Sequence, residues 1–500
     1  MNFTTNDFYG SIVARESQGG YTMNTKGQNK QIGALMKDFV SSTIDFYNHM
    51  DSYPVCPPVN IENIHLLEAQ PIPHKGRPLQ DVYTEMLSKI YSSTLLGQHP
   101  RSFACVPSTE SLLSWMGDTM TNAWNPHASC TVNAPAADLI EKKLIRWMCD
   151  LAGYPKESGG LFVSGGSIAN LTALTAARDA KLTHNEYSRG VAYVSDQTHS
   201  SVAKGLHIIG FSRDQIRVIP SDASFAMDIS ALKAAIIQDI NAHKIPFAVI
   251  ASAGTTNTGT VDPLPQISHI CRKYHLWMHV DGAFGASALV SKQCRKNLSG
   301  IHLSDSLSWD AHKWLLQTYG CSVVLVRDKL SLAHSFSAHP EYLKDAQSSD
   351  DSIEFWDLGP ELTRPARSLK LWLTLQVMGT DAMGKIIDHG CALAQLAQNL
   401  IQQSSEWEVV SPAQLGIVNF RYISHGNLSG RKLDRINQNI AREITQSGFA
   451  QIFTTELCGK KVLRMCTIHP ETTEQDIYDT IRFLKNTAAV KESSLTARTA

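Results

Sequence analysis

"LPQISHICRKYHLWMHVDGAF", Leu264 to Phe284, decides the fold. Residues 264–275 carry helical spacing, and 276–284 form a β-rich apolar run that ends in an aspartate and small residues. One helix feeding one strand is half of an α/β repeat, and the repeat continues on both sides. "GLFV" (160–163), "VAYVSD" (191–196), "IRVIP" (216–220) and "PFAVIASAG" (246–254) are further short β-rich runs upstream. "SLSW" (306–309) and "CSVVLVRD" (321–328) follow downstream. Helical patterns such as "DISALKAAIIQDINAHK" (228–244) lie between several of them. Continuous apolar strands separated by helices predict a mostly parallel sheet covered on both faces. Ligands on such sheets sit beyond the carboxyl ends of the strands.

The flanks differ. Residues 1–33 are polar and rich in Gly, Asn and Gln, and are expected to be loosely ordered. Ala34 to Pro54 has helical spacing that stops at a proline, and the following "VCPPVN" reads as an extended linker. After "RSLKLWLTLQVMG" (367–379) the pattern becomes that of a smaller α+β unit. The expected division is a helical arm at 34–100, a large α/β domain at 101–380, a small α+β domain at 381–488 and a frayed tail at 489–500.

With 45 basic and 46 acidic side chains, the net charge of -1 argues against a general nucleic-acid or anionic-membrane surface and favours small-molecule chemistry. Ten cysteines occur without a CxxC pair, which excludes a zinc or disulfide framework and suits a reducing compartment. The first twenty residues lack a signal pattern, and no apolar run approaches the roughly 20 residues of a membrane span. A soluble, cytoplasmic protein is expected.

Three stretches could do chemistry. In "VSGGSIANLTALTAARDAK", Gly165, Gly166 and Ser167 open a helix directly after a strand, so backbone N–H groups can meet an anion; Ser167 as a plain helix cap is the alternative. The stretch is neither GxGxxG nor GxxxxGK[ST], which speaks against dinucleotides and nucleoside triphosphates. In "HVDGAFGAS", Asp281 ends an apolar strand, where a carboxylate needs a cation or strong donors; Gly282, Ala283 and Gly285 leave room beside it for something flat, though a turn aspartate would fit too. In "DSLSWDAHKWLLQTYG", Lys313 follows a strand-like run, where an apolar setting would lower its pKa and make it a nucleophile; a snorkelling lysine is the alternative. A phosphate cradle, a buried carboxylate and an amine together suit pyridoxal phosphate: the anion anchors it, the lysine carries its aldehyde and the aspartate keeps its ring nitrogen protonated. His199 in "SDQTHSS" could stack on the ring or simply cap a helix.

"SGGS", "SDQTHSS", "GTTNTG", "HVDGAFG", "DAHKWL", "HPEYL" and "RSLKLW", in this order, make the chain resemble the group II pyridoxal-phosphate decarboxylases, typified by aromatic-L-amino-acid decarboxylase, from about Asp38 to Asp476. The resemblance implies the aspartate aminotransferase class of PLP-dependent transferase fold. It implies Lys313 as the Schiff-base lysine, Asp281 as partner of the ring nitrogen, Ala283 against the ring and His199 stacked on it. Gly165, Gly166, Ser167 and Asp310 would form the phosphate site, with Thr256 near the ring and His312 beside the lysine. It also implies a homodimer whose N-terminal helices wrap the partner and whose mobile loop, including "AHPEYLKD", crosses the interface. Tyr342 in that loop matches the tyrosine that returns a proton to the substrate carbon; relatives with phenylalanine there tend to release aldehydes. Ser108, with Cys105 and Val106, matches the substrate pocket, and Arg464 matches a small-domain arginine that a salt bridge would explain equally well.

The chain departs from the aromatic enzymes, which mostly read "HVDAAYAGS" and "NPHKW", at Gly282, Phe284, Asp310 and Ala311. The expected reaction is α-decarboxylation of an L-amino acid, aromatic (tryptophan, tyrosine, phenylalanine or dihydroxyphenylalanine) before sulfinic, acidic, diamino or aliphatic. Oxidative deamination to an aldehyde is the second reading, which Tyr342 opposes. A carbon–sulfur lyase is the third, and it lacks an obvious loop cysteine. No metal is expected.

Overall fold

The computed structural model describes residues 25–106, 109–337, 353–424 and 430–496. Its main sheet contains seven strands: β1 (Gly159–Val163), β2 (Gly190–Ser195), β3 (Ile216–Ile219), β4 (Ile245–Ser252), β5 (Trp277–Asp281), β6 (Ser306–Asp310) and β7 (Ser322–Val326). Their order is β1-β7-β6-β5-β4-β2-β3. From β6 through β5, β4 and β2 to β3 every pairing is parallel. These strands are joined by helical connections long enough for crossovers, as the apolar runs require. β7 is the exception and runs antiparallel to both β6 and β1. The chain between β6 and β7, residues 311–321, is shorter than the dozen or so residues of a crossover, so it must turn back on itself. Every residue of β2, β5, β6 and β7 is buried. Helices on both faces supply the cover; Gly166–Lys181 and Ser200–Ile208 are the two that matter for the site.

A second, antiparallel sheet has the order β10-β11-β9-β8, with β8 at Trp407–Gln414, β9 at Ile417–Tyr422, β10 at Phe453–Leu457 and β11 at Lys460–Cys466. It has its own core, in which Phe420, Leu463, Ile440 and Ile481 are buried. Each such side chain contributes about 1.5–3 kcal/mol through removal from water.

The helix Thr25–Asn48 begins inside the stretch expected to be a loose tail and ends before Pro54. At the other end, the helix Glu474–Thr496 runs through the residues expected to fray. Thr473 and Asp476 bond each other across its first turn, Ile477, Ile481, Leu484 and Ala488 recur on the buried face, and Lys491 pairs with Glu443. Apolar spacing past residue 488 is weak, but the helix is extended by that ion pair.

Candidate active site

The carboxyl ends of the central strands surround a cavity of about 400 Å³. Gly165, Gly166, Ser167, His199, Thr256, Asp281, Ala283, Asp310, His312 and Lys313 all line it. Residues more than a hundred positions apart in sequence are thus brought to one place by the parallel strand order.

At one end β1 stops at Val163 and the chain turns through Ser164 and Gly165 into the helix starting at Gly166. Gly165 is the cap residue, in an extended conformation; Ser167 is not the cap but lies inside the first turn. The first intrahelical donor is Ile168, bonded to Gly165 O at 2.9 Å, so the N–H groups of Gly166 and Ser167 have no helical carbonyl to meet. Such a helix end attracts an anion through both its donors and its dipole. Gly166 is required by crowding: a Cβ there would lie 2.8 Å from Asp310 Oδ2.

At the other end Asp281 closes β5 and is buried. Its Oδ2 accepts from Asn170 Nδ2 at 2.9 Å, and its Oδ1 from Ala283 N at 3.1 Å and Ser308 Oγ at 3.2 Å. Three donors sustain a carboxylate without a cation, so the carboxylate is available to face a cationic group in the cavity. Gly282 next to it is packed against Leu307 and Ala286, with room for no Cβ.

Lys313 sits in the short helix Ala311–Trp314 after β6. Its surroundings are polar rather than apolar: Nζ lies 3.1 Å from Asp310 Oδ2, and its carbonyl accepts from Thr109 Oγ1 at 3.3 Å. His312 turns Nδ1 toward Cys321 O at 3.1 Å, and burial lowers its pKa, with the Asp310 charge opposing that shift. Asp310 Oδ1 is buried and lacks a hydrogen-bond partner among the described residues, as expected of an atom facing a ligand site. His199 caps the helix Ser200–Ile208 by accepting from Ser201 N, and it also lines the cavity.

Arg464, buried on β11, makes no ion pair among the described residues; it donates to Thr256 O at 2.8 Å and to Ala104 O. Cys105 is exposed and Val106 packs against the main core, and neither lines the cavity. Ser108 and Tyr342 lie outside the described residues. Sequence reasoning missed Asn170, Ser201 and Ser308. Asn170 could have been found as the lone amide one helical turn beyond Gly166, and Ser306 and Ser308 as the polar face of "SLSW".

An amide cradle at one end, a donor-fed carboxylate at the other and a lysine amine between them fit pyridoxal phosphate. The comparisons agree. The family described as "Pyridoxal-dependent decarboxylase conserved domain" matches residues 58–423. Aromatic-L-amino-acid decarboxylase of Bacillus atrophaeus is 38% identical over 91% of this chain and 94% of its own. Phenylacetaldehyde synthase of Arabidopsis thaliana is 30% identical over 92% of this chain and 96% of its own. The crystal structure of Oryza sativa TDC with PLP and tryptamine superposes with a TM-score of 0.87 at 28% identity, covering 95% of this chain and all of that one. The chain belongs to the pyridoxal-dependent decarboxylase family and is a pyridoxal-phosphate-dependent amino acid decarboxylase.

Proposed function

We propose that this enzyme removes the α-carboxyl group of an L-aromatic amino acid as carbon dioxide and releases the corresponding amine. The observation that carries the reading is the convergence of Lys313, Asp281 and the Gly165–Gly166–Ser167 turn on one cavity, in a chain that shares 38% identity with an aromatic-L-amino-acid decarboxylase. Pyridoxal phosphate, when bound, supplies an aldehyde for the amine and a ring that accepts the electron pair left behind by carbon dioxide.

The residues have separable tasks. The N–H groups of Gly166 and Ser167 bind the phosphate, and Gly165 lets the backbone come close. Lys313 would hold the cofactor through its amine, with Asp310, 3.1 Å from Nζ and next to His312, placing its side chain. Asp281 holds a proton on the ring nitrogen, which is what makes the ring an electron acceptor. His199, Ala283 and Thr256 line the cavity; His199 would cover the cofactor, Ala283 would leave room for it, and Thr256 would lie near it. Tyr342 returns the proton to the substrate carbon, which favours amine over aldehyde. Ser108, with Cys105 and Val106 nearby, belongs to the segment that receives the substrate side chain; Thr109 at its end already touches Lys313.

A second copy of the chain would cover the arm. Ile32, Met36, Ile44, Ile61, Ile64 and Leu66 on its helices are exposed, more apolar surface than a solitary chain ordinarily leaves in water. All ten cysteines are free, which suits the cytoplasm; no helix among the described residues is long and apolar enough to cross a membrane.

The test is purified protein with pyridoxal phosphate and a panel of L-amino acids, assayed together for amine, aldehyde and peroxide. Amine from tryptophan, tyrosine, phenylalanine or dihydroxyphenylalanine is expected. Amine only from sulfinic, acidic, diamino or aliphatic substrates would overturn the substrate class. Aldehyde with peroxide would move the enzyme to the chemistry that the name of the Arabidopsis relative denotes.

A further inference from the structure

Behind the cavity the hydrogen bonds form a chain with one direction. Trp277 Nε1 donates to Ser306 Oγ at 2.8 Å, and Ser306 Oγ lies 2.8 Å from His279 Nδ1. His279 Nε2 lies 3.0 Å from Asn170 Oδ1. The Asn170 amide nitrogen then donates twice, to Asp281 Oδ2 at 2.9 Å and to Ser201 Oγ at 3.1 Å. Ser201 Oγ in turn lies 2.8 Å from His199 Nδ1, which also accepts from Ser201 N at 3.2 Å.

Chemistry allows one assignment. An amide oxygen only accepts, so His279 carries its proton on Nε2 and its Nδ1 accepts from the Ser306 hydroxyl. Reversing the Asn170 amide would set its oxygen against the Asp281 carboxylate, acceptor against acceptor. His199 Nδ1 is an acceptor, so the Ser201 hydroxyl donates to it and receives from Asn170. His279 and Ser306 are wholly buried, and burial holds the imidazole pKa below its ordinary value against the opposing pull of Asp281, keeping the ring neutral.

We propose that Asn170 is a positioning residue that couples the two sides of the cofactor site: one amide nitrogen holds Asp281 at the ring-nitrogen end and, through Ser201, sets the His199 ring that covers the cofactor, while His279 locks that amide in place. Neither Asn170 nor His279 need touch substrate. The inference rests on the pyridoxal phosphate reading of the cavity. Packing alone would account for a buried asparagine, but not for two donations that end on the two groups facing the ring.

The test uses the full-length protein stripped of cofactor and titrated with pyridoxal phosphate, read by the absorbance and circular dichroism of the bound cofactor. Borohydride reduction followed by mass measurement reports covalent attachment. Asn170→Ala should raise the cofactor Kd by about 10- to 100-fold, the range of one lost bond to a charged group, and should alter the dichroism because both ring contacts shift. His279→Leu should move both readouts in the same direction. His279→Gln, whose amide N–H can still reach Asn170, should restore them. The Asn170→Ala/His279→Leu double variant should be no worse than Asn170→Ala alone. Unchanged Kd and dichroism in Asn170→Ala would overturn the proposal, as would His279→Gln behaving like His279→Leu. Should Asn170→Ala not fold, the two His279 variants decide, since Asn170 stays in place. If the wild-type protein itself attaches no cofactor, the cavity reading fails; if it attaches cofactor and the variants are indistinguishable from it, only the coupling fails.

Discussion

Arg364→Met should destabilise the enzyme by about 3–5 kcal/mol, the cost of stripping one partner from a buried ion pair. Arg364 and Glu141 are both fully buried, with Nη2 2.6 Å from Glu141 Oε1. The same guanidinium donates to Phe162 O and Ala128 O, each at 2.8 Å, and lies over the Phe355 ring. Methionine replaces most of the volume but none of the donors. Glu141 would keep only the Phe162 N–H, at 3.0 Å, as partner for a buried charge. Two carbonyls would be left bare at about 1–3 kcal/mol each before relaxation, so the upper half of the range is expected. Denaturant unfolding, followed by tryptophan fluorescence and extrapolated to water, measures the loss. Removing the charge as well, in Glu141→Gln/Arg364→Met, should return part of it, leaving roughly 2–3 kcal/mol for the two carbonyls, the low end of their combined cost. A single variant within about 0.5 kcal/mol of the parent, the range of a neutral surface change, would refute the reasoning. So would a double variant no more stable than the single. Phe162 lies just before the anion turn, so cofactor affinity should fall in parallel.

Lys313→Ala should abolish covalent attachment, read as the absence of a cofactor mass after borohydride reduction, and with it nearly all amine production. Gly166→Ala puts a methyl group 2.8 Å from Asp310 Oδ2 and inside the cradle; cofactor Kd should rise about tenfold, within the range of overpacking costs, whereas pyridoxal lacking the phosphate should be less affected. Tyr342→Phe should shift product from amine toward aldehyde with peroxide, and unchanged amine output would remove the tyrosine from the mechanism.

All seven strands of the main sheet were legible as β-rich runs. β2, β4, β5 and β7 are near-continuously apolar, as strands covered on both faces need, whereas β3 carries Arg217 with Val218 exposed and β6 alternates serine with apolar residues. The small sheet was half legible. β9 and β11 read clearly, but β8 contains Pro412 and two register shifts, and β10, "FTTEL", is largely polar with Phe453 exposed. Such edge strands are defined by their partners rather than by their own pattern. The cavity-lining residues named from sequence were legible because each breaks a local rule: a carboxylate in an apolar strand, a lysine just after a strand, glycines opening a helix. Asn170, His279 and Ser306 break no rule by themselves. Spacing within one segment marks Asn170 and Ser306 as polar positions, but that they meet at His279 and Asp281 emerges only when β5, β6 and the helix Gly166–Lys181 are laid side by side.

Arg464 shows the limit from the other direction. The sequence left it equally open as a family arginine or as half of a structural salt bridge, yet both of its described hydrogen bonds go to backbone carbonyls, at Thr256 and Ala104. A bond to a carbonyl fixes backbone geometry without balancing charge. Thr256 belongs to the turn at the cavity edge, and Ala104 leads into the segment whose Thr109 touches Lys313. One guanidinium therefore ties β11 to the cavity-lining turn at Thr256 and to the segment at Ala104, using a separate nitrogen for each. Lysine would offer donors to carbonyls but not in that fixed fork. The antiparallel sheet thus holds the backbone of the turn at Thr256, while Asp281, Asp310 and Lys313 are supplied by the main sheet and the short helix after β6.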